Sequence, residues 1–138
     1  MREILFRAKE TFGGKWVEGY YEFGYDAETE TPSHYMWVLN HTEKYGEMFM
    51  VIPETISEFT GLTDKNGKKI FEGDIVEGLF LHSMPVNSVV AFSDGSFGLL
   101  WNRAGAETFW AFTSICNVEY EVIGNIHDNP ELLKRRMI

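Results

Sequence analysis

The closeness of its turn signals is what most constrains this chain. Gly13-Gly14, Asp64-Lys65-Asn66-Gly67, Glu72-Gly73-Asp74 and Asp94-Gly95 interrupt it repeatedly, and the segments between them are short and rich in aromatic and branched residues. Glycine reaches positive φ without steric cost, and Asp or Asn side chains bond back to their own backbone. Short apolar runs between such turns specify antiparallel strands. Only the end, "DNPELLKRRMI", reads as helical.

The individual expectations follow from this pattern. Residues 3–7 and 15–23 form a hairpin around Gly13-Gly14. Residues 24–34 are polar and read as an exposed loop. Strands follow at 35–39 and 48–52, separated by a second polar loop at 40–47, and Pro53 stops the latter strand. The strand at 56–62 leads into Asp64-Lys65-Asn66-Gly67. Asp64 in first and Gly67 in fourth position suit a type I turn; Asn66-Gly67 alone suits type I′ equally well. Glu72-Gly73-Asp74 makes the next bend. In "NSVVAFSDGSFGLLW", Asp94-Gly95 predicts a two-residue type I′ hairpin that sets Phe92 beside Phe97 and Val90 beside Leu99. Residues 110–122 alternate as one half-buried strand, or two broken near Ser114. At the end, Asn129 suits an N-cap and Pro130 the first position of a two-turn helix that docks through Leu132 and Leu133.

Charge and composition narrow the function classes. The chain has 138 residues, enough for one domain or two small ones, and a subdivision near Ile52 (1–52 and 53–138) is expected. Aromatics reach 15%, so even short strands can enclose a core. Twelve basic residues against 21 acidic ones leave a net charge of −9, which disfavours phosphate-backbone binding. The run Lys134, Arg135, Arg136 is better read as cations complementing a helix C-terminus. One cysteine, Cys116, permits no disulfide within the chain, which suits a reducing cytoplasm. The N-terminal "MREILFRAKE" has no signal-peptide h-region, and no apolar run is long enough for a membrane span.

Candidate chemistries fail on spacing. Asp64-x-Asn66 opens like an EF-hand loop, but Gly67 falls fourth instead of sixth and Ile75 stands where the twelfth-position Glu belongs. His34, His41, His82 and His127 show no close pairing with each other or with Cys, and His34 and His41 lie in polar loops where solvated side chains are expected. Cys116 shares the apolar phase of its strand, with Glu119 and Glu121 close by, and reads as a buried inert thiol. The glycines form no phosphate-binding, dinucleotide or nucleophile-elbow motif. Glu54, Glu58, Asp64, Glu72, Asp74 and Glu77 read as surface charge protecting edge strands, with Asp74 locking its turn. Trp101, Phe109 and Trp110, with Phe112, are either core or, where exposed, an interaction surface.

"FTGLTDKNGKKIFEGDIV" (59–76) resembles the signature of the YopX family, small proteins encoded by phages and prophages. "MREILFRAKETFGGKWVEGYY", "VIPETISEFTGLTDKNGKK" and "VIGNIHDNPELL" resemble it too, in the expected order and over nearly the whole chain. Residues 24–47 and 78–118 carry little of the resemblance. The resemblance implies a β-rich fold with modules like small SH3-type barrels, in a bacterial host cell. It supplies no activity and no catalytic residue.

The sequence therefore predicts an all-β chain of SH3-like, partly open barrel modules with one short C-terminal helix. Gly61, Asp64, Asn66, Gly67, Glu72, Gly73 and Asp74 form its structural motif. No cofactor or metal is expected. The favoured function is non-enzymatic: a cytoplasmic phage accessory protein that binds or assembles, as a homo-oligomer or with a host or phage protein. Two rival readings remain. One is a nucleic-acid-binding module using Lys65, Lys68, Lys69 and Arg103, or its converse, an acidic DNA mimic. The other is an enzyme whose carboxylates or Cys116 converge in a pocket.

Overall fold

The computed structural model describes residues 2–39, 46–80, 84–103, 106–112 and 119–133. The chain is mainly β, and every strand pair with an assigned register is antiparallel. It gathers into two compact units, Met1–Phe59 and Thr60–Ile138.

The first unit holds β1 (Phe6–Lys9), β2 (Trp16–Asp26), β3 (Thr31–Val38), β4 (Glu47–Met50) and the start of β5 (Ser57–Thr63). They lie in the order β4-β3-β2-β1-β5. Side chains alternate across a strand, so one face collects Ala8, Met36 and Val51, with Phe6, Val17, Val38, Phe49 and Ile56 packed around them. Thr55 pins a 3-10 turn over Pro53–Thr55: its Oγ1 accepts from Lys9 N (2.9 Å) and donates to the Ile52 carbonyl (2.6 Å).

The loop expected over residues 24–34 is mostly strand. β2 runs on to Asp26, β3 begins at Thr31, and Tyr25 pairs with Pro32. Polarity misled here because this end of the ribbon is wet: Phe23, Tyr25, Thr31 and Pro32 are exposed, so it carries no core-facing apolar phase. The reversal is confined to residues 27–30. Asp26 Oδ1 accepts from Glu28 N (2.8 Å) and Thr29 N (3.3 Å), and Glu30 N bonds to the Asp26 carbonyl (2.8 Å).

The second unit holds β6 (Lys69–Phe71), β7 (Asp74–Phe80), β8 (Met84–Ser93), β9 (Ser96–Arg103), β10 (Ala106–Ala111) and β11 (Tyr120–Asn125). Its five-stranded sheet has the order β10-β9-β8-β7-β11, while β6 lies beside β5. The core is Ile70, Val76, Val90, Leu99 and Val122, joined by Val86, Trp101, Phe112 and Tyr120. The Asp94-Gly95 hairpin forms as its sequence demands. Asp94 and Gly95 have φ of 49° and 81°, the double positive of a type I′ turn. Phe92 faces Phe97 and Val90 faces Leu99, with the two phenyl rings 5.0 Å apart at 71°.

Two expectations need correction. The sheet is open, with no closed barrel among the described residues, because β10 and β11 are its two ends. The C-terminal segment is a 3-10 turn over Pro130–Leu133 where it is described. Leu132 N bonds to the Asn129 carbonyl (3.1 Å), a three-residue spacing. Asn129 Oδ1 accepts from Asn125 N (3.3 Å) and so points back toward the strand. Lys134, Arg135 and Arg136 lie outside the described residues. The interval 110–122 holds two strand ends, β10 and β11, and Cys116 between them is also outside the described residues.

One core position is under-satisfied. Ser88 is fully buried on β8 opposite Val76, and its hydroxyl has no hydrogen-bond partner among the described residues. A buried hydroxyl without a partner costs roughly 1–3 kcal/mol in desolvation. Ser88→Ala removes the oxygen and leaves almost no cavity, so it is expected to raise stability by about 1 kcal/mol. Urea denaturation of the two proteins checks this; a destabilised alanine variant would show that the hydroxyl is satisfied in solution.

Candidate functional site

The stretch 60–76 folds as two tight corners, held by bonds within each turn and by bonds from the first corner to β11. In the first, Gly67 N bonds to the Asp64 carbonyl (3.0 Å) and Asp64 N to the Lys68 carbonyl (2.8 Å). Gly67 takes φ of 82° while Asn66 stays negative. That combination is a type I turn followed by a left-handed glycine and settles the choice left open with type I′. Asp64 is buried. Its Oδ1 accepts from Asn66 N (2.8 Å) and Lys68 N (2.9 Å), while Oδ2 reaches across to accept from Val122 N on β11 (2.9 Å). Burial pushes this carboxyl up, but the N–H groups of Val122, Lys68 and Asn66, with the Lys68 charge, outweigh it and hold the pKa below its ordinary value.

Further bonds fix the corner to β11. Lys65 N bonds to the Tyr120 carbonyl (3.1 Å), Asn66 Nδ2 to Glu121 Oε1 (3.3 Å), and Lys65 Nζ sits 3.6 Å from Glu121 Oε2. The β11 strand carries a bulge between Val122 and Gly124 at the same place. The second corner uses Gly73 at φ of 87°. Gly73 N bonds to the Val90 carbonyl (2.8 Å), and its own carbonyl accepts from Ile126 N (2.9 Å). Buried Asp74 accepts from Phe71 N at Oδ2 (2.8 Å), across the bend that holds Glu72. Gly61, at φ of 88°, bends β5 where Thr60 Oγ1 donates to the Ile70 carbonyl (2.8 Å) and accepts from Leu62 N (3.1 Å).

The other candidates separate. Trp101 and Trp110 stack obliquely, 5.2 Å apart at 45°, and both are half-buried, as is Phe109. Trp101 packs on the core, and the Phe109 ring lies over Gly98. Of the proposed basic stripe, Lys65 is paired with Glu121 and Lys68 lies against Asp64; the Arg103 side chain is outside the described residues. His34 is not a solvated loop residue: it is half-buried in β3, and its Nδ1 is 2.6 Å from the Tyr21 hydroxyl. His127 has its backbone N on Asn125 Oδ1 (3.0 Å), and His41 and His82 are outside the described residues. Among the described residues, no three His, Cys, Asp or Glu side chains group as metal ligands. No helix among them is long and apolar enough to cross a membrane.

Sequence reasoning overlooked the outer face of the first sheet. Tyr20, Trp37 and Met48 are direct cross-strand neighbours on β2, β3 and β4, on the side opposite the core. All three are exposed, by 50%, 38% and 47%. Leu39, 58% exposed, joins them, since it and Trp37 both border Gly46. Trp37 Nε1 donates to Glu22 Oε2, which orients the ring. The signal was present: "WVEGYYEFGY" carries aromatics in both phases of its alternation, and a sheet with one core can bury only one phase.

Fold and corners together define an antiparallel β protein of two compact units with a buried aspartate turn fixed to its final strand. The chain belongs to the YopX family, whose model, described as YopX protein, matches residues 5–134. Among solved structures it is similar to the crystal structure of protein EF1440 from Enterococcus faecalis. The TM-score is 0.55 and the identity 25%, over 96% of this chain and 99% of that one. No curated protein matches the chain.

Proposed function

We propose that this chain is a phage- or prophage-encoded accessory protein that acts in the host cytoplasm by binding and assembly, without catalysis, and that it self-associates. The motif 60–76 is scaffold in this reading, because the Asp64 and Asp74 carboxylates are turned onto backbone N–H groups. The second unit is an SH3-like module left open: β7 to β10 form a meander, and β11 returns to pair with β7. The observation that carries assembly is the open edges. The first sheet ends on β4 and β6 and the second on β10 and β11. β11 has its outward groups at Tyr120 and Val122 engaged by the 64–68 corner, which leaves β4, β6 and β10 as the other terminal strands among the described residues. Terminal strands offer rows of N–H and C=O groups that pair readily with another chain.

Size-exclusion chromatography with light scattering tests this. A stable dimer or larger assembly at micromolar concentration is expected. A monomer across that range overturns the assembly reading.

A further inference from the structure

We propose that the outer face of the first sheet is a contact between two copies of this chain, related by a two-fold axis that runs across the strands in the plane of contact. The proposal rests on the reading that the chain self-associates, and it adds a packed face to the strand edges which that reading uses. Three observations carry it.

The first is the exposed row Tyr20–Trp37–Met48 with Leu39 beside it. The hydrogen bond from Trp37 Nε1 to Glu22 holds the largest ring in one orientation before any partner arrives, so little side-chain freedom is lost on contact.

The second is charge, which differs between the two ends of the face. Strand alternation puts Arg7, Lys9, Glu18 and Glu22 on the same side as Tyr20. Toward one end, Arg7 is the cross-strand neighbour of Glu18, and Lys9 that of Trp16. Both cations lie over the Trp16 ring, 4.9 and 5.5 Å from its centroid. Toward the other end, Glu22 faces half-buried Tyr35, with Met50 beyond it. Asp26, further out in the same phase, is turned into the reversal at 27–30. A two-fold contact pairs residue i with j and j with i. An axis across the strands exchanges the two ends, so Glu22 of each copy meets the Arg7–Lys9 end of the other. Two cations and two carboxylates cancel, so copies of net charge −9 meet on a neutral face.

The third is area. The four apolar side chains expose on the order of 400 Å², and Trp16, Tyr35 and the four charged side chains bring the face to the order of 700 Å². Each partner in a standard interface gives about 800 Å². An apolar centre with a charged rim is also the composition such a contact has.

Light scattering and sedimentation of the full-length protein over a micromolar dilution series test this. Trp37→Ala removes the ring from both sides of a two-fold contact, so the dimer Kd is expected to rise about a hundredfold. Glu22→Lys and Lys9→Glu should each raise it about tenfold, and the double variant should return it to within about threefold of wild type. Lys9 is aligned with Trp16, six residues before Glu22, a separation of about 20 Å along the strands. Rescue therefore reports a contact between copies, not one within a copy. Glu28→Lys, an equal change of charge at the turn, should not weaken association. In the ¹⁵N-labelled wild-type protein the Trp37 indole N–H should shift with concentration, a readout that depends on no variant folding.

Three results overturn the proposal and leave the edge-pairing reading standing. They are an oligomer whose Kd is unmoved by Trp37→Ala and Glu22→Lys, a double variant no tighter than the single ones, and a Trp37 indole signal that stays fixed while the protein associates. A monomer at every concentration removes both readings.

Discussion

Replacing Asp64 by alanine is expected to cost about 3–5 kcal/mol, a large share of the roughly 5–15 kcal/mol that holds an ordinary domain folded. The magnitude follows from what the carboxylate holds. It accepts three backbone N–H groups, from Asn66, Lys68 and Val122, the last buried and on a distant strand. Each bond to a charged acceptor contributes about 1.5–3 kcal/mol, and a buried donor left without an acceptor pays its own desolvation. The three are not additive, since losing the corner frees the first two donors to meet water. The Val122 donor has no such outlet while β11 stays in place. Asp64→Asn should cost less, about 2 kcal/mol, because it keeps the shape and one acceptor but turns an N–H toward a donor.

The charge gives an independent check through pH. The carboxyl has a depressed pKa when folded, so its stabilising contribution is present above the unfolded value near 3.9 and is lost as pH falls through the folded one. Urea denaturation from about pH 6 down to about pH 2 should show the wild-type protein losing stability below about pH 4, with Asp64→Ala losing visibly less over the same interval. If Asp64→Ala costs under about 0.5 kcal/mol, or keeps the full acid dependence, the corner does not pin β11.

What was legible in the sequence was whatever depended on neighbours along the chain. The Asp94-Gly95 hairpin and its pairs Phe92–Phe97 and Val90–Leu99 follow from two residues that accept positive φ and from strict alternation on either side. The Asp64–Gly67 turn was legible for the same reason. What could not be read was the far end of each interaction. Val122 lies 58 residues from Asp64 and carries no mark of receiving its Oδ2. The ribbon end at residues 24–34 was missed because solvent on that side removes the apolar phase that announces a strand. Trp101, Phe109 and Trp110, read as core or interaction surface, are half-buried, whereas the row Tyr20, Trp37 and Met48 is exposed. Those three are adjacent only because β2, β3 and β4 pair in one register, and register is a property of the folded sheet.

Gly19 shows the same gap and supports the other large prediction: Gly19→Ala is expected to cost more than about 3 kcal/mol and to disrupt the pairing of β2 with β3. Nothing about Gly19 stands out in "WVEGYYEF", and its φ is not positive. Its importance is one of space. It is buried beside Phe6 of β1, and a Cβ built on it would overlap the Trp37 carbonyl oxygen, lie 2.7 Å from the Trp37 carbonyl carbon and 3.3 Å from Val38 Cα. These are backbone atoms of a paired strand, so no side chain can rotate away, and β3 itself must shift. Gly67→Ala is the matched control. Gly67 needs positive φ but has nothing within 4 Å of its Cβ position, so alanine there should cost only about 1–2 kcal/mol of local backbone strain. Because Trp37 must move in Gly19→Ala, hydrogen exchange should speed up in β3 even where the variant stays folded. If Gly19→Ala proves no more costly than Gly67→Ala, the two strands do not approach closely at this point.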